Sequence, residues 1–280
     1  MIWGAAFVAQ SVGMEYVGPF TFISVRFLIG GTILLPMVKR TSRRESIDKR
    51  TLFIGGVLCG LALCLASCLQ QIGIVHTTVG KAGFITAMYI VIVPILRVFL
   101  GNKTSGILWI SVLLAVAGLY YLCMMDSFAV GRGDLYVLFC AVIFSVHILL
   151  VDHFSPRVNG VALSCIQFYV SGVIAAVLAL LWESPDLSSI VSAWAPILYA
   201  GILSSGVGYT LQVIGQKEVD PVIASLILSL ESVFSVLAGW ILLKQTLSKR
   251  EWIGCALMAV AIILAQLPSP NQNELKKLPE

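Results

Sequence analysis

Five stretches of this chain contain no aspartate, glutamate, lysine or arginine: 51–80, 104–125, 158–182, 187–216 and 252–273. Each is longer than the ~20 residues a helix needs to cross a ~30 Å hydrocarbon layer. Lipid offers the backbone no hydrogen bonds, so only helices and closed barrels can span it. These runs are too long and too uniformly apolar for barrel strands, which alternate in polarity. Charged residues make up 11% of the chain, against about 25% in an ordinary soluble domain. The mean hydropathy is +0.97. The expected fold class is therefore an all-α membrane protein.

Turn residues and charges divide the chain into ten expected transmembrane helices, near 1–16, 20–38, 51–73, 78–100, 105–124, 133–152, 160–181, 190–213, 221–243 and 250–267. The first is short for a crossing and lacks a basic leader, so residues upstream of Met1 are expected. Lysine and arginine crowd the loop after the second span (Lys39, Arg40, Arg43, Arg44, Lys49, Arg50). The positive-inside rule makes that loop cytoplasmic. Threading outward from it puts both termini inside, with the polar 268–280 tail in the cytoplasm.

The halves repeat. "LQQIG" at 69–73 matches "LQVIG" at 211–215. "RF" at 26–27 falls near "QF" at 167–168, and "WI" at 109–110 near "WI" at 252–253. Order and spacing are nearly constant, which predicts one unit at 1–125 and a second at 126–267. Each holds five spans, an odd number, so the second is expected to be inverted relative to the first. Such two inverted five-helix repeats are a transporter signature, with a site near the midplane between them.

"IWGAAFV", "VRFLIGG", "TTVGKAGFITAMYIVIVPIL" and "SLESVFSVLAGWILLKQTLSKREWIGCALM" together resemble the drug/metabolite transporter superfamily, in particular its EamA-type exporters. The resemblance covers nearly the whole chain. It implies alternating access by two five-helix halves, residence in a bacterial-type inner (plasma) membrane, and export of small metabolites or amino acids. Ser232 stands where that pattern commonly has proline, so no proline kink is expected in span 9. Val236 likewise lacks the proline that Pro94 supplies in the first repeat.

Polar groups inside the membrane are the residues to examine for function. Glu231 lies mid-span, where an acidic side chain costs roughly 2.5 to 3.5 kcal/mol on insertion scales. It borders a stripe of small residues, Ser225, Ser229, Ser232, Ser235 and Gly239, that suits close helix packing. It is a candidate for a structural strut, for a partner of Arg26, or for a proton or substrate carrier. Arg26 needs a partner or a watery site, and Glu15 and Glu231 are the candidates. Glu231 and Arg26 are the candidate coupling or gating residues. The candidate cavity residues are Trp3, Gln10, Gln70, Tyr89, His147, Tyr209 and Gln212, with Gln70 and Gln212 as repeat partners. Trp3, Tyr89, Tyr209 and Phe84 are the candidate aromatic walls, which suit amino acids and organic cations.

Cys64 and Cys68 share a helix face, but seven scattered cysteines without C-x-x-C read as packing, and no metal is expected. No nucleotide-binding loop, H-E-x-x-H or G-x-S-x-G occurs, so neither a cofactor nor an enzyme is expected. The net charge of +4 reflects a basic loop and not a nucleic-acid surface. The leading expectation is a secondary transporter of small metabolites, amino acids or drug-like compounds. It would act as a monomer or homodimer in the bilayer, with protons as the candidate coupling ion. An uncoupled permease or channel-like pore is the alternative.

Overall fold

The computed structural model describes residues 2–41, 48–102, 104–123, 131–234 and 248–267. Among them no strand occurs, and the chain folds into helices α1 (Ile2–Gly13), α2 (Pro19–Thr41), α3 (Lys49–His76), α4 (Val79–Phe99), α5 (Gly106–Cys123), α6 (Arg132–Phe154), α7 (Gly160–Trp182), α8 (Trp194–Gly215), α9 (Pro221–Phe234) and α10 (Lys249–Ala265). A short helix, Leu187–Ser192, precedes α8. Six of these, α2, α3, α4, α6, α7 and α8, are long and apolar enough to cross a membrane. The others are shorter; residues 42–47 of the basic loop, the 235–243 part of span 9 and the 268–280 tail lie outside the described residues. Large apolar side chains such as Phe53, Leu113 and Leu180 point outward, as a lipid-facing exterior requires.

Helix starts carry oxygen caps. Asn159 accepts from Ala162 N at 3.0 Å, and Ser248 and Glu251 close a capping box. Asp48 caps α3, and a hydrogen bond from the Thr51 hydroxyl, with backbone N–H groups of Thr51 and Arg50, holds its carboxyl below the usual range. Asp220 caps α9 through Val222 N at 2.9 Å, with Pro221 at the first helical position. The start of α2 is capped from a distance. Glu183, at the end of α7, accepts from Phe20 N (2.8 Å), Thr21 N (2.8 Å) and the Thr21 hydroxyl (2.6 Å). Replacing Glu183 by alanine strands these three donors and is expected to lower stability by about 1–3 kcal/mol, read as a fall in melting temperature in detergent. An unchanged melting temperature would show that water serves those donors equally well.

Helices α2 and α7 meet at the centre, where the Phe27 and Phe168 rings stack with centroids 5.8 Å apart and planes within 11°. Around this stack contacts come in pairs. A Cβ built on Gly60 would lie 2.7 Å from Val170 Cβ and 3.0 Å from the Gln167 carbonyl oxygen. One built on Gly201 would lie 3.0 Å from Ile29 Cβ and 3.1 Å from the Arg26 carbonyl oxygen. Each residue of one contact is 141 positions from its counterpart in the other: 60 and 201, 29 and 170, 26 and 167. Gly31 against Tyr169 and Gly172 against Leu28 form a further pair at the same offset. At the periphery α5 and α10 cross where Gly118 and Gly254 each face the other's carbonyl oxygen.

Two helices are interrupted. In α4 the helix runs Val79–Thr86, turns at Ala87 and Met88, and resumes as Tyr89–Phe99. Pro94, in the second part, cannot donate to the Ile90 carbonyl. In α9 the break falls at Ser229, 142 positions after Ala87. The expectation that span 9 has no proline kink at 232 stands beside a break three residues earlier. Its cause is serine chemistry: the Ser225 and Ser229 hydroxyls donate to the Val222 and Leu226 carbonyls at 2.7 Å, a back-bonding that bends helices.

Candidate functional site: a polar cavity between the halves

Tyr89 and Glu231 each sit two residues past a helix break, and both turn toward one internal cavity. Its volume is about 50 Å³, and it is walled by α1 (Trp3, Phe7, Gln10), α2 (Arg26), α3 (Gln70), α4 (Thr86, Tyr89), α6, α8 (Tyr209, Gln212) and α9 (Glu231). Both halves of the chain therefore supply the wall. A larger, mostly apolar cavity of about 480 Å³ adjoins it between α1, α8 and α9, sharing Trp3, Gln212, Leu228 and Glu231.

Of the nine residues singled out from sequence, the structure brings eight to the smaller cavity: Trp3, Gln10, Arg26, Gln70, Tyr89, Tyr209, Gln212 and Glu231. The ninth, His147, does not reach it. It is fully buried behind Tyr209, edge-on at 6.3 Å, with its Nε2 3.0 Å from the Gln167 Oε1. The sequence placed it mid-helix correctly; the rotation of α6 turns it toward α7. Phe84 also packs into the core and not the cavity.

The polar wall is held in place by specific bonds. The Trp3 indole donates to the Ser204 carbonyl at 3.2 Å and its ring lies 4.8 Å from Tyr209. Gln70 Nε2 donates to the Thr86 hydroxyl at 3.2 Å, Gln71 Nε2 to the Gln10 carbonyl at 3.2 Å, and Gln212 Nε2 to Gln216 Oε1 at 3.1 Å. Residues Tyr199–Tyr209 of α8 form a wide π-helical segment, a geometry often found at functional sites. Within it, Gly201 and Ser205 lie against Gly30 of α2.

Arg26 and Glu231, a candidate ion pair from sequence, share the cavity without forming one: no N–O distance between them falls within 4.0 Å. Glu15 is exposed and pairs with neither. The Arg26 guanidinium instead lies 4.6 Å above the Phe27 ring. Lys81, at the start of α4, approaches Asp134 at 3.8 Å, and Asp134 also accepts from the Thr77 hydroxyl at 2.5 Å. Sequence reasoning missed Thr86, Ser204 and the Arg97–Asp220 ion pair. The signal for the last was available: an arginine near the end of α4 and an aspartate capping α9, both within helices otherwise poor in charge. Cys64 and Cys68 lie with Sγ atoms 4.0 Å apart inside the core.

The EamA-like transporter family model matches this chain twice, over residues 1–124 and 131–267. An uncharacterized transporter of Archaeoglobus fulgidus is 30% identical over 273 residues, 95% of this chain and 83% of the relative. The uncharacterized inner membrane transporter YedA of Escherichia coli is 23% identical over 95% of this chain and 88% of its own length. A WAT1-related chloroplastic protein of Arabidopsis thaliana is 24% identical over 96% of this chain and 68% of its own. A solved crystal structure shares the fold with a TM-score of 0.75 at 20% identity, over 99% of this chain and 98% of the other. The tandem family match, the relatives named as transporters and the apolar helices around a polar cavity lead to one statement: this chain belongs to the EamA-like transporter family.

Proposed function

We propose that this protein is a secondary transporter that exports small metabolites, amino acids or drug-like compounds by alternating access of two inverted five-helix halves, 1–125 and 126–267. The observation that carries the reading is the buried cavity lined by polar and aromatic side chains from both halves. Three further features support it. The paired glycine contacts at an offset of 141 fit a two-fold axis through the Phe27–Phe168 stack. The breaks in α4 and α9 at matching positions fit discontinuous helices at a midplane site. The ties Lys81–Asp134 and Arg97–Asp220 each join the first half to the second. Arg97 follows Lys81 by most of the length of α4, so the two ties lie at opposite ends of the bundle.

In this reading each tie holds one end shut, and the two alternate. The membrane is the inner (plasma) membrane, and both termini are cytoplasmic. The Arg97–Asp220 tie then faces the cytoplasm and Lys81–Asp134 the outside. Glu231 and Arg26 couple the cycle to proton movement. The protein reconstituted in liposomes is expected to show saturable substrate counterflow. Ion currents far above carrier turnover would replace this reading with a channel.

The inner tie gives a separate expectation. Asp220 both pairs with Arg97 and caps α9. Asp220→Ala is expected to cost about 1–2 kcal/mol in stability through the lost cap and the lost pair. Arg97→Ala is expected to cost less than 1 kcal/mol, because the pair is partly exposed. A double-mutant cycle read by thermal unfolding should return a non-zero coupling, and strict additivity would remove the tie from the mechanism.

A further inference from the structure

The matching helices α3 and α8 differ by one residue. Gly201 stands 141 positions after Gly60, but Leu211 stands 142 positions after Leu69, and the break at Ser229 keeps the offset of 142 from Ala87. One surplus residue therefore lies between Gly201 and Leu211 of α8, with no counterpart between Gly60 and Leu69 of α3. That stretch of α3 is plain α-helix, whereas Tyr199–Tyr209 of α8 is π-helical. The burial pattern agrees. Buried residues recur at every fourth or fifth position through the segment (Ala200–Gly201, Ser204–Gly206, Tyr209–Thr210) and at every third or fourth beyond it (Gln212–Val213, Gln216). The widened turns absorb the surplus residue. Beyond them α8 resumes in step with α3, and Gln212 lines the cavity as Gln70 does.

Helix geometry says what this arrangement permits. In an α-helix one inserted residue turns everything beyond it by about 100° and advances it by about 1.5 Å. The π form cancels that turn. An α form restores it and carries Tyr209 and Gln212 out of the wall. Little in the segment resists the change. Five of its 11 residues are glycine or serine, so few side chains interlock across its turns. The buried Ser205 hydroxyl has no hydrogen-bond partner that would fix it. π geometry is ordinarily confined to a single turn, and this stretch exceeds that.

We propose that the surplus residue is a hinge built into α8: Tyr199–Tyr209 passes between this π form and an α form, and the change turns Tyr209 and Gln212 into and out of the cavity wall. The hinge rests on the transport reading above for its purpose, since a wall that turns changes what the cavity holds as the halves rock. It also makes the halves unequal. Helix α3 presents Gln70 tied to the Thr86 hydroxyl on α4. Helix α8 presents Gln212 bonded to Gln216 of its own helix, so the pair can turn together. The Trp3 indole bonds to the Ser204 carbonyl inside the segment, which links α1 to the same movement.

The test removes the surplus residue. Leu203 is exposed and lines neither cavity, and a variant lacking it has the spacing of α3. Hydrogen exchange is read by mass spectrometry on the purified full chain in detergent. In the wild type, the amides of 199–210 are expected to exchange roughly tenfold faster than those of 58–68, after correction for intrinsic rates. In the deletion variant they are expected to become as slow as those of α3, with an undiminished melting temperature. Counterflow of radiolabelled L-phenylalanine in liposomes is expected of the wild type and is expected to be lost in the folded variant. Equal protection of the two stretches in the wild type overturns the hinge, whether or not the variant folds. A folded deletion variant with wild-type counterflow also overturns it, because the extra residue is then a static insertion. A wild type with the exchange contrast and no counterflow keeps the hinge and fails the transport reading for this probe. Wild-type counterflow without the contrast does the reverse.

Discussion

Leucine at Gly60 or Gly201 is expected to abolish the folded protein, with loss of a monodisperse species in detergent. At both positions the first side-chain carbon would already meet a neighbour: 2.7 Å from Val170 Cβ at Gly60, and 3.0 Å from Ile29 Cβ at Gly201. Backbone carbonyl oxygens, of Gln167 and Arg26, lie 3.0 and 3.1 Å away, so no rotamer change relieves the clash. In lipid, helix association relies on close packing and not on a hydrophobic gain. Pushing these helices apart therefore removes the attraction along the whole crossing. Overpacking ordinarily costs 1–3 kcal/mol; a leucine against backbone on both helices should reach at least about 3 kcal/mol. The two substitutions should be similarly severe, because they strike equivalent crossings. Gly83→Ala is the control, since nothing lies within 4 Å of a Cβ there. If either leucine variant melts with the wild type, the central crossing is not the organising contact.

Glu231→Gln is expected to uncouple transport from a pH gradient while leaving the fold intact. Glutamine keeps the size of the side chain and removes the charge that is costly to bury. A carrier that exchanges one proton per cycle accumulates substrate tenfold for each unit of pH gradient, since a factor of ten corresponds to 1.4 kcal/mol. The wild type in liposomes should follow that tenfold step. E231Q should accumulate nothing beyond equilibrium at any gradient, yet still exchange substrate in counterflow at saturating concentration. Tyr89, Tyr209 and Arg26 line the same cavity and remain in the variant, so the comparison isolates the carboxylate. Undiminished gradient-driven accumulation by E231Q would assign the carboxylate to recognition alone.

Much of the cavity was legible because membrane interiors tolerate few polar groups. Gln10, Arg26, Gln70, Gln212 and Glu231 stand out from their apolar neighbours, and the cost of exposing them to lipid turns them inward. Aromatic residues gave a weaker signal: Trp3, Tyr89 and Tyr209 reach the cavity, Phe84 does not. His147 shows the limit. It is as polar as the glutamines, but a buried imidazole is equally well served by Gln167 on a neighbouring helix. Nothing in the order of residues along α6 distinguishes those two destinations. The break in α9 was hidden for a different reason. Proline is a visible helix breaker, whereas Ser225 and Ser229 bend the helix only through hydroxyl bonds to their own carbonyls.

The sequence by itself determined the class of solution: long uncharged runs have one backbone conformation that satisfies every peptide group in lipid, so helices follow from composition and length. It also carries short motifs repeated at near-constant spacing, across the two stretches, 1–124 and 131–267, that the family model matches. Only the tertiary structure decided which face of each helix meets which neighbour. Helices apolar on all sides have no polar face to fix their rotation. Their orientation is set by where small residues permit contact, as at Gly60 and Gly201. That choice puts Arg26 and Glu231 around one cavity without an ion pair between them, and turns His147 away from it.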